Sequence, residues 1–362
     1  MLQTLEKVRS AVRSRAKAVR AKLDMPVKYA AYRRGADHGR FVPDRLYIES
    51  TNYCNLKCIM CPTGLGVIKR PKGYMDMDLY RAIVDEMGPL SVSAVLHSWG
   101  EPLMHPKLFD MIRYGKKAGL GVETSTNITL LNEDRARAVL DSGLDVLYLA
   151  LDGATRETYE SVRVNAKWDK VLRNVDRLLE LKEQTGSHLR VVLQIIAMNE
   201  TRAEVDEFLR RWDRPGVDQV NVKALDSWGD QVEAITSHRA EEERLPMKRM
   251  PCPNLWYHSY IFWDGSLTSC ERDYDIRTPL GNVRDHGVMA AWHGAEMRRL
   301  RRMHVEGRFE APACARCVEW SWWTPTMWRS AGTAPKVDSH ERDDRNGRKE
   351  RDKWSSPATA TA

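Results

Sequence analysis

The sequence Cys54-Asn55-Leu56-Lys57-Cys58-Ile59-Met60-Cys61 places three thiols at the spacing C-x3-C-x2-C. It follows a strand-like run of residues at 45–51. Three cysteines on one short loop can ligate three irons of a 4Fe–4S cluster, which leaves the fourth iron without a protein ligand. A small chelating molecule can bind that iron beside a one-electron donor. The alternative for such a loop is a zinc site or a set of buried thiols.

The spacing resembles the motif of the radical S-adenosylmethionine (SAM) superfamily. In that family the amino and carboxylate groups of SAM chelate the open iron, and an electron from the cluster breaks a carbon–sulfur bond of SAM. The resulting 5′-deoxyadenosyl radical abstracts a hydrogen atom from the substrate. The resemblance implies that Cys54, Cys58 and Cys61 bind this cluster. It also places Met60 near the adenine, although core packing explains Met60 as well.

The chain has 362 residues, a net charge of +7 and seven cysteines. It contains no apolar run long enough to cross a bilayer and no opening signal segment, so we expect a cytoplasmic protein. Clustered cysteines in that compartment indicate metal ligands rather than disulfides. A basic charge balance is typical of proteins that bind nucleic acid or anionic membranes. Because part of the charge lies near the N-terminus, we do not assign it to the catalytic body and expect no nucleic-acid partner.

Residues 1–42 are predicted to form a basic amphipathic helix and a linker. The apolar positions near helical spacing are Leu2, Leu5, Val8, Val12, Ala16, Val19 and Leu23. We favour a helix packed on the next domain, because this stripe is narrow and lacks aromatic residues. The alternative is peripheral contact of residues 1–40 with an anionic membrane surface.

Residues 43–228 alternate between strand-like and helix-like segments. The predicted strands are 46–51, 94–99, 121–126, 146–152, 190–197 and 219–223. This alternation indicates an α/β fold with a parallel sheet and helices on its outer face. The six units match the partial (β/α)6 barrel of the radical SAM family, whose curvature is implied by the resemblance. Ligands gather at the carboxyl ends of strands in such folds.

Two polar motifs follow the second and third strands. Trp99-Gly100-Glu101-Pro102 resembles the family's Gly-Gly-Glu-Pro motif, whose backbone and acid hold the SAM amino group. An ammonium group needs such acceptors. Trp99 replaces the first glycine, so its backbone contact stays open. In Thr124-Ser125-Thr126-Asn127, the resemblance implies that Ser125 and Asn127 bond the ribose hydroxyls; an Asn-capped turn is the alternative.

Further candidates follow or lie within the fourth and fifth strands. Asp152-Gly153 and the downstream Arg163 resemble family positions, and a planar guanidinium such as that of Arg163 can pair with the SAM carboxylate. Asp152 either belongs to this site or caps the next helix. Gln194 is a polar residue within an apolar strand, so it should face a ligand or a backbone group.

A second set of cysteines follows a charged connecting segment at 229–250. These are Cys252, Cys270, Cys314 and Cys317. The residues around Asp264-Gly265 predict a β-hairpin, which ends in a G-x4-C pattern at Cys270. Gly281-Asn282-Val283 precedes a helix carrying Trp292. The region 251–329 therefore resembles the shortened SPASM, or twitch, extension of radical SAM enzymes, a small domain with a β-hairpin and a helix.

The resemblance implies that this second set binds an auxiliary cluster, and four thiols can saturate one 4Fe–4S cluster. A four-cysteine zinc site is the alternative. The tryptophans at 320–328 are expected to pack around the cluster, with some lining the substrate pocket. Residues 330–362 are charged and poor in large apolar residues, so we expect a disordered tail.

A saturated auxiliary cluster is best explained as an electron carrier. The family's twitch-bearing aminoglycoside dehydrogenase oxidises its substrate in this way. The expected function is therefore a two-electron oxidation of a small molecule, such as a sugar or cyclitol, in natural-product biosynthesis. The expected cofactors are SAM and two 4Fe–4S clusters. The expected electron donor is a flavodoxin or ferredoxin. The sequence does not identify the residue that accepts the proton.

The sequence leaves four alternatives open. One is an enzyme that acts on a membrane lipid, which the predicted N-terminal helix would contact. A peptide-modifying maturase that forms a crosslink would usually carry a leader-peptide module, for which residues 1–40 are too short. A radical SAM epimerase would need a hydrogen-atom donor, and no cysteine remains if all seven are ligands. A non-catalytic zinc protein could bind nucleic acid through its basic face.

Overall fold

A nine-stranded sheet organises the computed structural model, which describes residues 24–239 and 249–322. Most of the predicted N-terminal helix, part of the connecting segment and the tail lie outside the described residues. The sheet begins with six strands that pair in parallel: β1 (Arg45–Ile48), β2 (Ser93–Val95), β3 (Gly121–Thr126), β4 (Val146–Ala150), β5 (Arg190–Ala197) and β6 (Gln219–Ala224). The predicted parallel α/β fold is therefore confirmed.

Helices connect these strands. A helix at 24–33 (α1) precedes the sheet. The following helices are α2 (Met77–Met87), α3 (Leu108–Lys117), α4 (Glu133–Asp141), α5 (Arg156–Val162), α6 (Trp168–Thr185), α7 (Val205–Trp212) and α8 (Glu233–Thr236). Local chemistry sets several boundaries. Asp76 accepts a hydrogen bond from the Leu79 amide at the start of α2, and Gly186 ends α6 in the left-handed conformation with φ 59°.

The C-terminal region extends the same sheet. Strand β7 (His258–Ile261) pairs in parallel with β1, and β8 (Ser266–Thr268) and β9 (Gly281–Asn282) continue it in antiparallel pairs. The predicted hairpin around Asp264-Gly265 is thus β7–β8. The helices of this region are α9 (Asn254–Tyr257), α10 (Val283–His286), α11 (Val288–Trp292) and α12 (Ala295–Val305). The strand order is β6-β5-β4-β3-β2-β1-β7-β8-β9.

The strand register separates an apolar face from a polar one. Residues paired across parallel strands point to the same side, and side chains alternate along each strand. Leu46, Ile48, Leu147 and Leu193 are fully buried on one face. The opposite face carries Tyr148 beside Ser125, and Asn221 beside Gln194. These residues are only half-buried. The sheet therefore presents a polar surface, away from its apolar core, where a ligand can bind.

None of the helices in the described ranges is long and apolar enough to cross a membrane.

Candidate cluster and cofactor sites

The first cysteine loop is fixed by its own backbone and by the segment after α5. The amides of Lys57 and Ile59 donate to the carbonyls of Val164 and Val162, at 3.0 and 3.2 Å. A Cβ on Gly64 would lie 2.3 Å from the Cys58 carbonyl oxygen, so the returning chain packs directly on the loop. The three thiols are thus presented by a loop whose shape is set by long-range contacts.

The side chains around these thiols suit a bound, negatively charged cluster. Arg163 Nη1 lies 3.5 Å from Cys58 Sγ, and Asn127 Nδ2 lies 3.8 Å from Cys54 Sγ. Both are donors, which stabilise thiolate ligands of a cluster. Burial raises the pKa of Cys54 to about 12, so this thiol stays protonated until a metal displaces its proton.

Glu101 is the centre of the predicted amino-group site. Its side chain is 2 % exposed. Oε1 accepts from the Thr126 hydroxyl at 2.8 Å and from the Leu103 amide at 3.0 Å, and Oε2 accepts from the Asn127 amide at 2.7 Å. Burial raises the pKa of Glu101, which these hydrogen bonds oppose. The carboxylate is therefore held at the ends of the strands before any ligand binds.

Trp99 and Gly100 bring the same motif against the first cysteine loop. The Trp99 carbonyl accepts from the Thr63 hydroxyl at 2.5 Å, and its ring packs edge-on against Trp228 with centroids 4.6 Å apart. A Cβ on Gly100 would lie 2.3 Å from the Thr51 carbonyl oxygen and 2.7 Å from that of Tyr53. Trp99 in place of the family's glycine is accommodated by aromatic packing, whereas Gly100 has no room for a side chain.

Replacing Gly100 with alanine should strongly destabilise the motif, because both neighbouring atoms belong to backbone. Overpacking of this kind typically costs about 1–3 kcal/mol. Anaerobic urea unfolding should show the loss as a lower midpoint. Alanine at Gly66 is a control for added bulk, because no atom lies within 4 Å of its Cβ position. Because Gly66 has a φ of 68°, an alanine there adds backbone strain but no steric clash. Equal losses in the two variants would contradict the steric argument.

The side-chain amide of Asn127 is hydrogen-bonded to protein atoms. Its Oδ1 accepts from the Thr129 amide and hydroxyl, at 3.1 and 2.6 Å, and its Nδ2 donates to Asn55 Oδ1 at 3.0 Å as well as facing Cys54. Both Oδ1 and Nδ2 of the Asn127 side chain already have protein partners, so neither atom is left for a ribose hydroxyl. The alternative, an Asn-stabilised turn, describes this geometry. Ser125, half-buried on the polar face, is the member of the pair that is available.

Asp152 and Arg163 pair with each other. Arg163 Nη2 bonds Asp152 Oδ2, and Asp152 Oδ1 accepts from the Ile196 amide at 2.7 Å. Of the two alternatives for Asp152, the helix cap is excluded, because Thr155 accepts from the Thr158 amide at that position. The sequence predicts that Arg163 faces the SAM carboxylate. In the structure its guanidinium contacts both Asp152 and Cys58. Its buried Nε has no partner in the described part of the chain.

Met60 and Gln194 each accept a hydrogen bond at the main-chain carbonyl from a residue distant in sequence. Met60 is buried, and its carbonyl accepts from Trp228 Nε1 at 2.9 Å. Gln194 extends from the polar face of β5, while its carbonyl accepts from the Leu151 amide at 3.1 Å. Sequence reasoning missed Trp228, whose φ of 56° marks a strained turn after β6.

The polar face also contains residues that the sequence did not single out. Arg45 Nη2 bonds Glu123 Oε2 at 2.5 Å, and the Tyr148 hydroxyl donates to the same oxygen at 3.1 Å. His97 follows β2 and packs edge-on against Tyr148, with ring centroids 6.5 Å apart. Burial, together with Lys223 and Arg45, lowers the pKa of His97 to about 3. The imidazole is therefore neutral at pH 7. The alternation of polar and apolar residues along these strands is the sequence signal that could have predicted this polar face.

The second set of cysteines lines one small cavity. Its walls include Cys252, Cys270, Cys314 and Cys317, together with Trp320. Asn254 Nδ2 and Arg272 Nη1 face Cys270 Sγ at 3.7 and 3.5 Å. Burial and, to a smaller extent, the neighbouring Cys270 thiol raise the pKa of Cys252 to about 12. Four thiols around one cavity, with nearby donors, suit a fully ligated cluster, in which each thiolate binds a different iron.

Across residues 24–239 and 249–322, no three His, Cys, Asp or Glu side chains lie close enough to share a single metal ion.

Two known families match the chain. Residues 48–212 match the Radical SAM superfamily, and residues 252–318 match SPASM, an iron–sulfur cluster-binding domain. A tungsten-containing aldehyde ferredoxin oxidoreductase cofactor-modifying protein from Pyrococcus furiosus is 23% identical over 315 residues, which are 75% of this chain and 86% of that protein. The mycofactocin maturase MftC of Mycobacterium tuberculosis is 28% identical over 51% of this chain. That alignment spans 44% of the maturase, less than half of its length.

Solved structures show the same fold. The crystal structure of BtrN in complex with AdoMet and 2-DOIA aligns with a TM-score of 0.52 at 18% identity, covering 76% of this chain and 93% of BtrN. That of Streptococcus suis SuiB bound to the precursor peptide SuiA aligns with a TM-score of 0.59 at 12% identity, covering 76% and 70%.

The chain belongs to the radical SAM superfamily and carries a C-terminal SPASM domain. The protein is therefore an enzyme that uses SAM and a 4Fe–4S cluster. Its SPASM domain implies an auxiliary iron–sulfur cluster in addition.

Proposed function

We propose that the protein is a radical SAM oxidoreductase that removes two electrons from a small polar molecule of the sugar or cyclitol type. The supporting observation is the arrangement of the seven cysteines. Three lie on the first loop and four line the second cavity. This distribution leaves no free thiol as a hydrogen-atom donor, so oxidation is favoured over epimerisation.

In this proposal each group has a defined place. Cys54, Cys58 and Cys61 hold the first cluster. Glu101 and Ser125 at the strand ends, together with Gln194 within β5, offer acceptors and donors to SAM. The bound cofactors supply a 5′-deoxyadenosyl radical that takes a substrate hydrogen atom, after which one proton leaves and one electron passes to the auxiliary cluster. A flavodoxin or ferredoxin provides the initiating electron. We retain the division into a barrel at 43–228 and a cluster domain at 251–329.

The polar face supports a small hydroxylated substrate. His97 is neutral, and its buried Nδ1 has no hydrogen-bond partner among the described residues. Tyr148 and the Arg45–Glu123 pair lie beside it. A compact group of neutral and internally paired donors and acceptors suits alcohol and amine groups. These residues orient the substrate in the proposal, and the unpaired Nδ1 of neutral His97 offers a hydrogen-bonding group to a substrate hydroxyl or amine.

Isotope transfer tests this reaction. The reduced protein, with SAM and a panel of deuterated cyclitols and aminosugars, should form one oxidised product for each 5′-deoxyadenosine. The deuterium from the oxidised carbon should appear in the 5′-deoxyadenosine, measured by mass spectrometry. Deuterium uptake from D2O into an unoxidised, inverted product would instead support epimerisation. Unlabelled substrate provides the control.

A peptide-modifying maturase is the second candidate. It is favoured by the resemblance to MftC and to SuiB, the latter determined with a precursor peptide. This function predicts that 5′-deoxyadenosine formation is stimulated by a peptide, whose mass falls as a crosslink forms. Stimulation by a peptide and by none of the cyclitols or aminosugars would contradict our proposal.

A further inference from the structure

Arg272 joins the second cysteine cavity to the end of β6. Its side chain is 3 % exposed. Nη1 lies 3.5 Å from Cys270 Sγ, and Nε donates to Asp226 Oδ1 at 3.1 Å. Nη2 bonds the other oxygen of Asp226. Glu319 Oε2 lies 3.7 Å from Nε, and 3.2 Å from Cys317 Sγ. The guanidinium is therefore fixed by two carboxylates while one of its nitrogens faces a cluster thiol.

The contacts continue toward the first cysteine loop. Asp226 Oδ1 also accepts from the Trp228 amide at 2.8 Å, and the Trp228 indole donates to the Met60 carbonyl at 2.9 Å. Met60 directly precedes Cys61. A chain of direct contacts thus runs from Cys270 through Arg272, Asp226 and Trp228 to the loop that presents the first cluster.

The charge at this position has an electrostatic consequence. A cluster with four thiolate ligands is negatively charged and becomes more negative when it is reduced. A fixed cation beside a sulfur ligand stabilises the reduced form, and a buried position weakens solvent screening. A nearby carboxylate has the opposite effect. We infer that Arg272 is a positioning residue that raises the reduction potential of the auxiliary cluster, and that Asp226 limits this increase.

This inference concerns electron acceptance rather than substrate identity. A higher potential makes the auxiliary cluster a better acceptor for an electron released near the strand ends. The inference requires the auxiliary cluster but no particular substrate. Failure to detect an oxidised cyclitol would therefore contradict the proposed function and leave the potential of the cluster unaffected.

Opposite charge changes provide the test. EPR-monitored redox titrations would use the full-length, reconstituted protein without oxygen. The auxiliary signal is the one that does not change when SAM is added. Arg272→Gln should lower the equilibrium constant for reduction of this cluster at least about tenfold, which corresponds to about 59 mV for a one-electron couple. Asp226→Asn should raise the potential, and Arg272→Lys should fall between wild type and Arg272→Gln.

The opposite signs separate an electrostatic role from a structural one. A general loosening of the cavity would shift Arg272→Gln and Asp226→Asn in the same direction. Such a result, or an unchanged potential in Arg272→Gln at full iron content, would overturn the inference. If Arg272→Gln loses the auxiliary cluster, the Asp226→Asn variant provides the test. A higher reduction potential of its auxiliary cluster supports the inference, and an unchanged or lower potential overturns it.

Discussion

Replacing Cys58 with alanine should abolish 5′-deoxyadenosine formation and lower the iron content from about eight to about four per chain. Cys58 is buried at the centre of the first loop, with Arg163 facing its sulfur at 3.5 Å. Loss of its sulfur leaves two thiols, which are too few to keep the cluster in place. Iron and sulfide analysis of the anaerobically reconstituted protein, with chromatography of the SAM products, measures both effects.

The double variant Cys314→Ala/Cys317→Ala is the matched control for this prediction, because it also leaves only two thiols at its site. Both residues line the second cavity and lie outside the first loop. This variant should also lose about four irons. It should nevertheless cleave SAM, while forming no oxidised product because the auxiliary electron acceptor is missing. Continued SAM cleavage by Cys58→Ala, or equal loss of cleavage in both variants, would contradict the assignment of the two sets. Bound zinc without sulfide would instead support the zinc alternative.

Replacing Arg70 with methionine should lower the free energy of unfolding by about 3–5 kcal/mol, because it leaves a buried carboxylate without its partner. Arg70 binds Glu49 through two hydrogen bonds, of 2.8 and 2.5 Å, and Glu49 is fully buried. Arg70 Nε also donates to the Tyr274 carbonyl at 2.6 Å, and its guanidinium lies 3.9 Å from the centre of the Phe262 ring. Arg70 therefore joins the loop after Cys61, the end of β1 at Glu49 and the C-terminal region.

Anaerobic urea unfolding, followed by tryptophan fluorescence, measures this loss. Arg81→Met is the control, since Arg81 forms an exposed pair with Asp78 and should contribute no more than about 1 kcal/mol. The double variant Glu49→Gln/Arg70→Met should recover much of the stability lost in Arg70→Met, because no charge is then buried alone. A similar loss in the double variant would show that packing of the Arg70 side chain, rather than the buried charge, determines the stability.

Local sequence signals predicted the features that depend on spacing. Both sets of cysteines were identified because ligand spacing is a short-range property. The parallel sheet followed from alternating segments, and the β7–β8 hairpin from Asp264-Gly265. Ser125 was expected near the end of a strand and Gln194 within an apolar strand, and the register places both on the polar face of the sheet.

The contacts between side chains that are distant in sequence could not be predicted in the same way. Asp152, Arg163 and Cys58 come together only when the cysteine loop packs on the segment after α5. Trp228 is distant from Met60 in sequence, and nothing near either residue indicates their hydrogen bond. The sequence does not distinguish the two possible roles of Asn127, because a turn and a ribose contact use the same side-chain amide. Physical proximity, rather than residue type, decided each of these cases.

The pairing of β1 with β7 has a consequence for biosynthesis. Strand β1 lies near the start of the described chain, yet one of its two neighbours begins only at His258. During translation, the edge of β1 that pairs with β7 has no strand partner until the intervening segments have been synthesised. The final geometry of the β1 edge, and of the loop that follows it, is therefore completed late, when the C-terminal region becomes available.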